Sequence, residues 1–126
     1  MRELVLKLTT VGATGACTVK SAAVTGKLYA LLYIPKSIDT GAGIVVTCEG
    51  MEGTSKPLLT KTSLGTSALW FYPRDLEHKV EDGAALTGTT GGDRTEPVLG
   101  GNIQAVIASG GGTSVTGYLV VYYCEY

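Results

Sequence analysis

The chain has 126 residues, a formal net charge of -1 and only 17% charged residues, against 44% hydrophobic ones. That length fits one domain, residues 1–126, and is enough to bury roughly two thirds of the unfolded surface. The charge balance leaves no basic stripe for nucleic acid, and no apolar run approaches the ~20 residues of a membrane helix.

MRELVLKLTT is too charged and too regularly alternating for a signal peptide, so synthesis in the cytosol is the expectation. Across Glu3 to Thr9, Leu4, Leu6 and Leu8 fall on one face and Glu3, Val5, Lys7 and Thr9 on the other, the pattern of a half-buried strand. Gly12 and Gly15 mark a turn, and Ala16 to Ala22 forms a weaker strand. Lys27 to Ile34 is a strong strand, with Leu28, Ala30, Leu32 and Ile34 on one face and Tyr29, Leu31 and Tyr33 on the other. Pro35 ends it, because proline cannot donate to a ladder. Ile44 to Glu49 follows, and the two segments look like an antiparallel pair.

Leu58 to Thr62 is a short strand, and Ala68 to Tyr72 another. In the second, alternation sends Leu69 and Phe71 to the core and Trp70 and Tyr72 to the opposite face. The peptide before Pro73 is expected to be trans. Arg74 to Asp82 is the one charge-dense stretch, a short strand or a single helical turn. Gly83 to Gly101 is the longest loop, and a loop of that length in a compact domain is usually functional or mobile. Asn102 to Ala108 is a strand with Ile103, Ala105 and Ile107 inward, and Gly110 to Gly112 is a turn. In Gly117 to Tyr126 both faces are apolar or aromatic: Leu119, Val121 and Tyr123 on one, Tyr118, Val120, Tyr122, Cys124 and Tyr126 on the other. Such a strand must be covered on both sides, and no helix-patterned segment is available to do so. About eight short strands with turn signals between them predict an all-β fold, an antiparallel β-sandwich of jelly-roll-like form.

Catalytic signatures are missing from the sequence. His78 is the only histidine, and it reads as a surface residue of the charged segment rather than as a triad member. There is no GxSxG elbow. In GTTGGDR, Gly92 is followed by Asp93 and Arg94 where a phosphate loop needs Lys and Ser or Thr before a helix. Glu81, Asp82, Asp93 and Glu96 lack calcium-loop spacing, and they give no clear pair for glycoside chemistry. Cys17, Cys48 and Cys124 are odd in number and dispersed, so buried free thiols are expected and zinc is not. The chain is therefore read as a non-enzyme without metal or cofactor.

Trp70 and Tyr72 form an aromatic platform for a sugar or a protein partner, unless a loop of the same chain covers them. Arg74, Asp75, Asp93 and Arg94 form loop salt bridges or touch a partner. The residues expected at a partner contact are Trp70, Tyr72, Arg74, Asp93 and Arg94, together with the N-terminal strand.

The segments VTGKLYALLYIPKS, KPLLTKTSLGTSALWFYPRDL, LTGTTGGDR and GYLVVYY resemble small virion proteins of tailed bacteriophages, the capsid decoration or cement proteins. The resemblance implies a jelly-roll or related sandwich on the outer capsid surface. There it would bind the major capsid protein and itself, as a homodimer or homotrimer, and would stabilise the shell. A tail, baseplate or head-tail connector subunit is the first alternative, and a carbohydrate-binding jelly roll the second.

Overall fold

The computed structural model describes residues 1–49, 55–76, 94–112 and 115–125, with the side chains of 75, 76, 94 and 95 outside the description. The strands, all paired antiparallel, are β1 (Arg2–Thr9), β2 (Cys17–Ile34), β3 (Gly43–Glu49), β4 (Ser55–Lys61), β5 (Leu69–Phe71), β6 (Asp75–Leu76), β7 (Arg94–Thr95), β8 (Val98–Ala108) and β9 (Thr116–Glu125). The main sheet runs β1-β9-β2-β8-β3-β4, with β5 also on β2, and β6 pairs with β7 alone.

The 18-residue strand β2 sets the architecture. Its first part, Cys17 to Lys27, pairs with β8. Its second part, Gly26 to Ile34, pairs with β9, and Leu31 to Tyr33 also pair with β5. The strand thus belongs to two layers, β1-β9-β2-β5 and β2-β8-β3-β4. The inward faces of the layers make one core. Leu6, Leu8, Leu31, Tyr33, Leu119 and Val121 come from the first layer, and Ile44, Val46, Leu99, Ile103, Ala105 and Ile107 from the second. The expected all-β antiparallel sandwich is what the chain forms.

The layers meet at Gly26, which pairs with Leu99 of β8 and Glu125 of β9. Its φ is 150°, and a Cβ there would overlap the Cys124 carbonyl oxygen. Only glycine lets the two neighbouring strands close on β2 at this point. Two register shifts in β2 flank it, between Lys20 and Ala23 and between Leu28 and Ala30. At the first, side chains supply hydrogen bonds where the ladder is interrupted. The Ile103 amide donates to Ser21 Oγ at 3.0 Å, and Asn102 Nδ2 donates to the Ser21 carbonyl at 2.6 Å.

The second shift corrects the expected faces of β2. Leu28 is buried, but beyond the bulge the buried residues are Ala30, Leu31 and Tyr33, while Leu32 and Ile34 are only half-buried. An inserted residue moves everything after it to the other face, which strict alternation cannot anticipate. Three other expectations are corrected. Ala16–Ala22 and Lys27–Ile34 are parts of one strand, because the intervening residues continue pairing with β8. β2 and β3 are not neighbours, since β8 lies between them. Cys17 and Cys48 are buried, whereas Cys124 is exposed near the end of β9, opposite Lys27 on the face that turns away from the core. The expected inward sets Leu6/Leu8 and Ile103/Ala105/Ile107 are buried, and among the described residues no peptide is cis.

Tyr33 is fully buried, and its hydroxyl has no hydrogen-bond partner among the described residues. Burial pushes its pKa up to about 12, so the phenol stays neutral at physiological pH. Burial also pushes the Cys17 thiol up, which makes it a poor nucleophile.

Gly26→Ala combines an unfavourable φ with a backbone clash, and each effect typically costs about 1–3 kcal/mol. The variant should lose about 3 kcal/mol or more in urea unfolding, whereas Gly100→Ala, where a Cβ meets nothing within 4 Å, should lose under about 1 kcal/mol.

Candidate functional site: an aromatic outer face

The outer face of the β1-β9-β2-β5 layer holds the candidate site. Cross-strand register places Val5 opposite Val120, Val120 opposite Leu32, and Leu32 opposite Trp70. Directly paired residues share a face, so these four form one apolar row across four strands, roughly 14 Å long at ~4.8 Å per strand. Val120 is buried yet takes no part in the core cluster, which places it on this outer side. Tyr118 and Tyr122 flank it on β9, both half-buried.

The row ends in an aromatic group. Trp70 is 51% exposed and Tyr72 55% exposed. Trp70 stacks on Tyr122 with ring centroids 5.4 Å apart and an interplanar angle of 26°. Tyr72 lies nearly parallel to Trp70, at 6.4 Å and 14°. Tyr29 meets Tyr72 edge-on at 6.1 Å. Arg74 closes the group: its Nη1 donates to the Tyr29 carbonyl at 2.9 Å and to the Pro73 carbonyl at 2.7 Å. Its guanidinium carbon sits 5.8 Å from the Tyr29 ring centroid, within cation–π range. The rings hold one another in place, so a partner docking here would order few side chains.

The alternation read from the sequence thus holds for β5: Leu69 and Phe71 pack against the core, and Trp70 and Tyr72 face out. The structure brings Trp70, Tyr72 and Arg74 together. Arg94 enters through its backbone, pairing with Leu76 just after Arg74. Asp93 lies outside the described residues, as do His78, Glu81 and Asp82. Sequence reasoning missed Tyr29 and Tyr122 as members of the group. The alternation of β9 put Tyr122 on the same face as Tyr118 and Val120 without saying which face turns outward, and only the order β9-β2-β5 shows that Trp70 can reach it.

Among the described residues there is no cluster of three or more His, Cys, Asp or Glu able to hold a metal. No described helix is long and apolar enough to cross a membrane. The surface offers aromatic faces, aliphatic area and one pinned guanidinium, which is recognition chemistry.

No family model and no curated sequence matches the chain. Among solved structures it is similar to an exo-β-1,3-galactanase from Phanerochaete chrysosporium, determined with galactose: 14% identity and a TM-score of 0.35, over 95% of this chain and 26% of that one. It is also similar to a structure of infectious bursal disease virus, Gx strain: 16% identity and a TM-score of 0.33, over 100% of this chain and 38% of that one. The chain spans well under half the length of either. Both likenesses are too distant to assign a site or an activity.

Trp70 is the single tryptophan, so its emission reports on this face alone. Tyr122→Ala should shift that emission to the red and raise its quenching by acrylamide. It should cost at least about 1 kcal/mol of stability, the worth of one aromatic pair beyond the area that Tyr122 buries. An unchanged spectrum would mean that the two rings do not stack in solution.

Proposed function

We propose that this chain is a non-enzymatic structural protein of a bacteriophage virion, a decoration protein that binds the outer capsid shell as a homo-oligomer and stabilises it. The observation that carries the reading is the apolar row Val5–Val120–Leu32–Trp70, continued by Tyr72 and Tyr29. An ordered, weakly charged surface rich in aromatic rings suits a lasting protein contact, with Trp, Tyr and Arg as anchors. The resemblance of the quoted segments to cement proteins supplies the setting, with the major capsid protein as partner.

The physical logic is multivalency. One such face makes a contact of modest strength. An oligomer that touches several capsid subunits is released only when all its contacts break together, so weak individual contacts give a durable clamp. No cofactor or metal enters this account. A tail, baseplate or connector subunit would use the same face, and differs in location and copy number.

A second reading is supported by Trp70 and Tyr72 in particular: two exposed rings only 14° from parallel can stack against the apolar face of a sugar. The chain would then be a carbohydrate-binding module.

One experiment separates the readings. Trp70→Ala and Tyr72→Ala should each weaken binding to capsid shells assembled without this protein by at least about tenfold, the loss typical of an interface anchor. Both variants should still melt cooperatively, with a modest loss of stability from the broken ring contacts, so that lost binding is not lost folding. Full shell binding by both variants would remove the aromatic face from the decoration reading. Loss of glycan binding, with no shell affinity in the wild type, would favour the carbohydrate module.

A further inference from the structure

The end of the apolar row opposite Trp70 lies on β1, and this strand is a terminal one. It pairs with β9 on one side, and no described strand pairs with its other edge. The two terminal strands of the main path differ sharply. β4 carries Pro57, which cannot donate to a ladder, a register shift against β3, and lysines at 56 and 61. Those are devices that keep an edge from pairing with another chain. β1 has neither a proline nor a register shift, its eight residues pair with β9 without interruption, and its charges are of both signs, at Arg2, Glu3 and Lys7. At its centre Val5 is 51% exposed, and on the same outward face Glu3 precedes it by two residues and Lys7 follows it by two. Neither Glu3 nor Lys7 forms an ion pair among the described residues, whereas Arg2 is paired with Glu125.

We infer that β1 is a self-complementary edge that pairs antiparallel with β1 of a second copy of this chain, about a two-fold axis at Val5. In that register Val5 faces its own counterpart, and Glu3 of each copy stands opposite Lys7 of the other. Among the two-fold registers that keep the outward faces on one side, centring on Val5 is the one that matches these opposite charges. Centring on Leu4 sets Glu3 against Val5, and centring on Leu6 sets Lys7 against Val5. Opposite charges directly across an antiparallel pair stabilise it, and an apolar pair at the centre adds to this. The ladder would also satisfy the edge amides and carbonyls of β1.

The consequence for the site is geometric. Joining two copies at β1 makes the outer layers one continuous sheet, with the row from Trp70 to Val5 running on into the row from Val5 to Trp70 of the second copy. The four-strand row becomes an eight-strand band, roughly 34 Å long at ~4.8 Å per strand, with an aromatic group at each end. Such a dimer presents two aromatic anchors on one side, the geometry that bivalent attachment requires. The inference rests on the oligomeric part of the reading above and is independent of its virion part.

The test uses the full chain in analytical ultracentrifugation, with circular dichroism as the check on folding. The wild type should be a dimer at micromolar concentration. Val5→Lys, which alters an exposed residue and sets two lysines together at the axis, should weaken the dimer at least tenfold while keeping the native circular dichroism spectrum and a cooperative melt. Glu3→Lys, which sets a second ammonium group against Lys7 of the other copy, should do the same. The double variant Glu3→Lys with Lys7→Glu should restore the wild-type dimer, a rescue that no merely structural role for these residues would produce. A dimer or trimer insensitive to all three variants would overturn the β1 edge and leave the oligomer reading standing. A wild type that stays monomeric up to millimolar concentration would overturn both.

Discussion

Everything in this fold depends on one strand serving two layers. β2 pairs with β8 along its first part and with β9 along its second, and both partners close on Gly26. A side chain there would meet the Cys124 carbonyl, so the junction exists only because the residue has none. The bulges on either side let the strand change direction and phase without leaving its ladders. From this junction follow the single core between the layers and the position of Tyr33 deep inside it. The free outer face of the β9-β2-β5 region also follows from it.

That outer face is the one on which the proposed function rests. A sheet with one face on a core usually turns polar residues to the other. Here the outward positions are instead Val5, Val120, Leu32, Tyr122 and Trp70. The row is exposed at its ends, Val5 and Trp70, while Val120 is buried between half-buried Leu32 and Tyr122, so its apolar area is offered mainly at the two edges. Stacking of Trp70 on Tyr122, and the fixing of Arg74 by two carbonyls, add pre-organisation. Low overall charge fits the same picture, since a contact made of rings and aliphatic groups needs little electrostatic steering.

Much of this was legible from alternation, wherever the strands are regular. Leu6 and Leu8, the Ile103/Ala105/Ile107 set, and the division of Leu69 and Phe71 from Trp70 and Tyr72 all follow from a period of two. Alternation failed at the Leu28/Ala30 bulge, where an extra residue put Leu31 and Tyr33 inside in place of Leu32 and Ile34. Strand order was illegible as well, because neighbours in sequence need not be neighbours in a sheet: β2 and β3 are separated by β8. For the same reason the partnership of Tyr29 and Tyr122 with the β5 aromatics could not be read from the chain. Cys124 looked buried because its face neighbours Val120 and Tyr122 are apolar, but that is the outer face of β9, while its neighbour Tyr123 turns into the core.

In its proposed role this protein is a stoichiometric part of a capsid shell. Its copy number in purified phage particles, measured by quantitative mass spectrometry against the major capsid protein, tests that most directly. The account predicts a ratio comparable to that of the capsid protein itself. A ratio of a small fraction would place the protein in a tail or connector, and its absence from the particle would contradict the account outright.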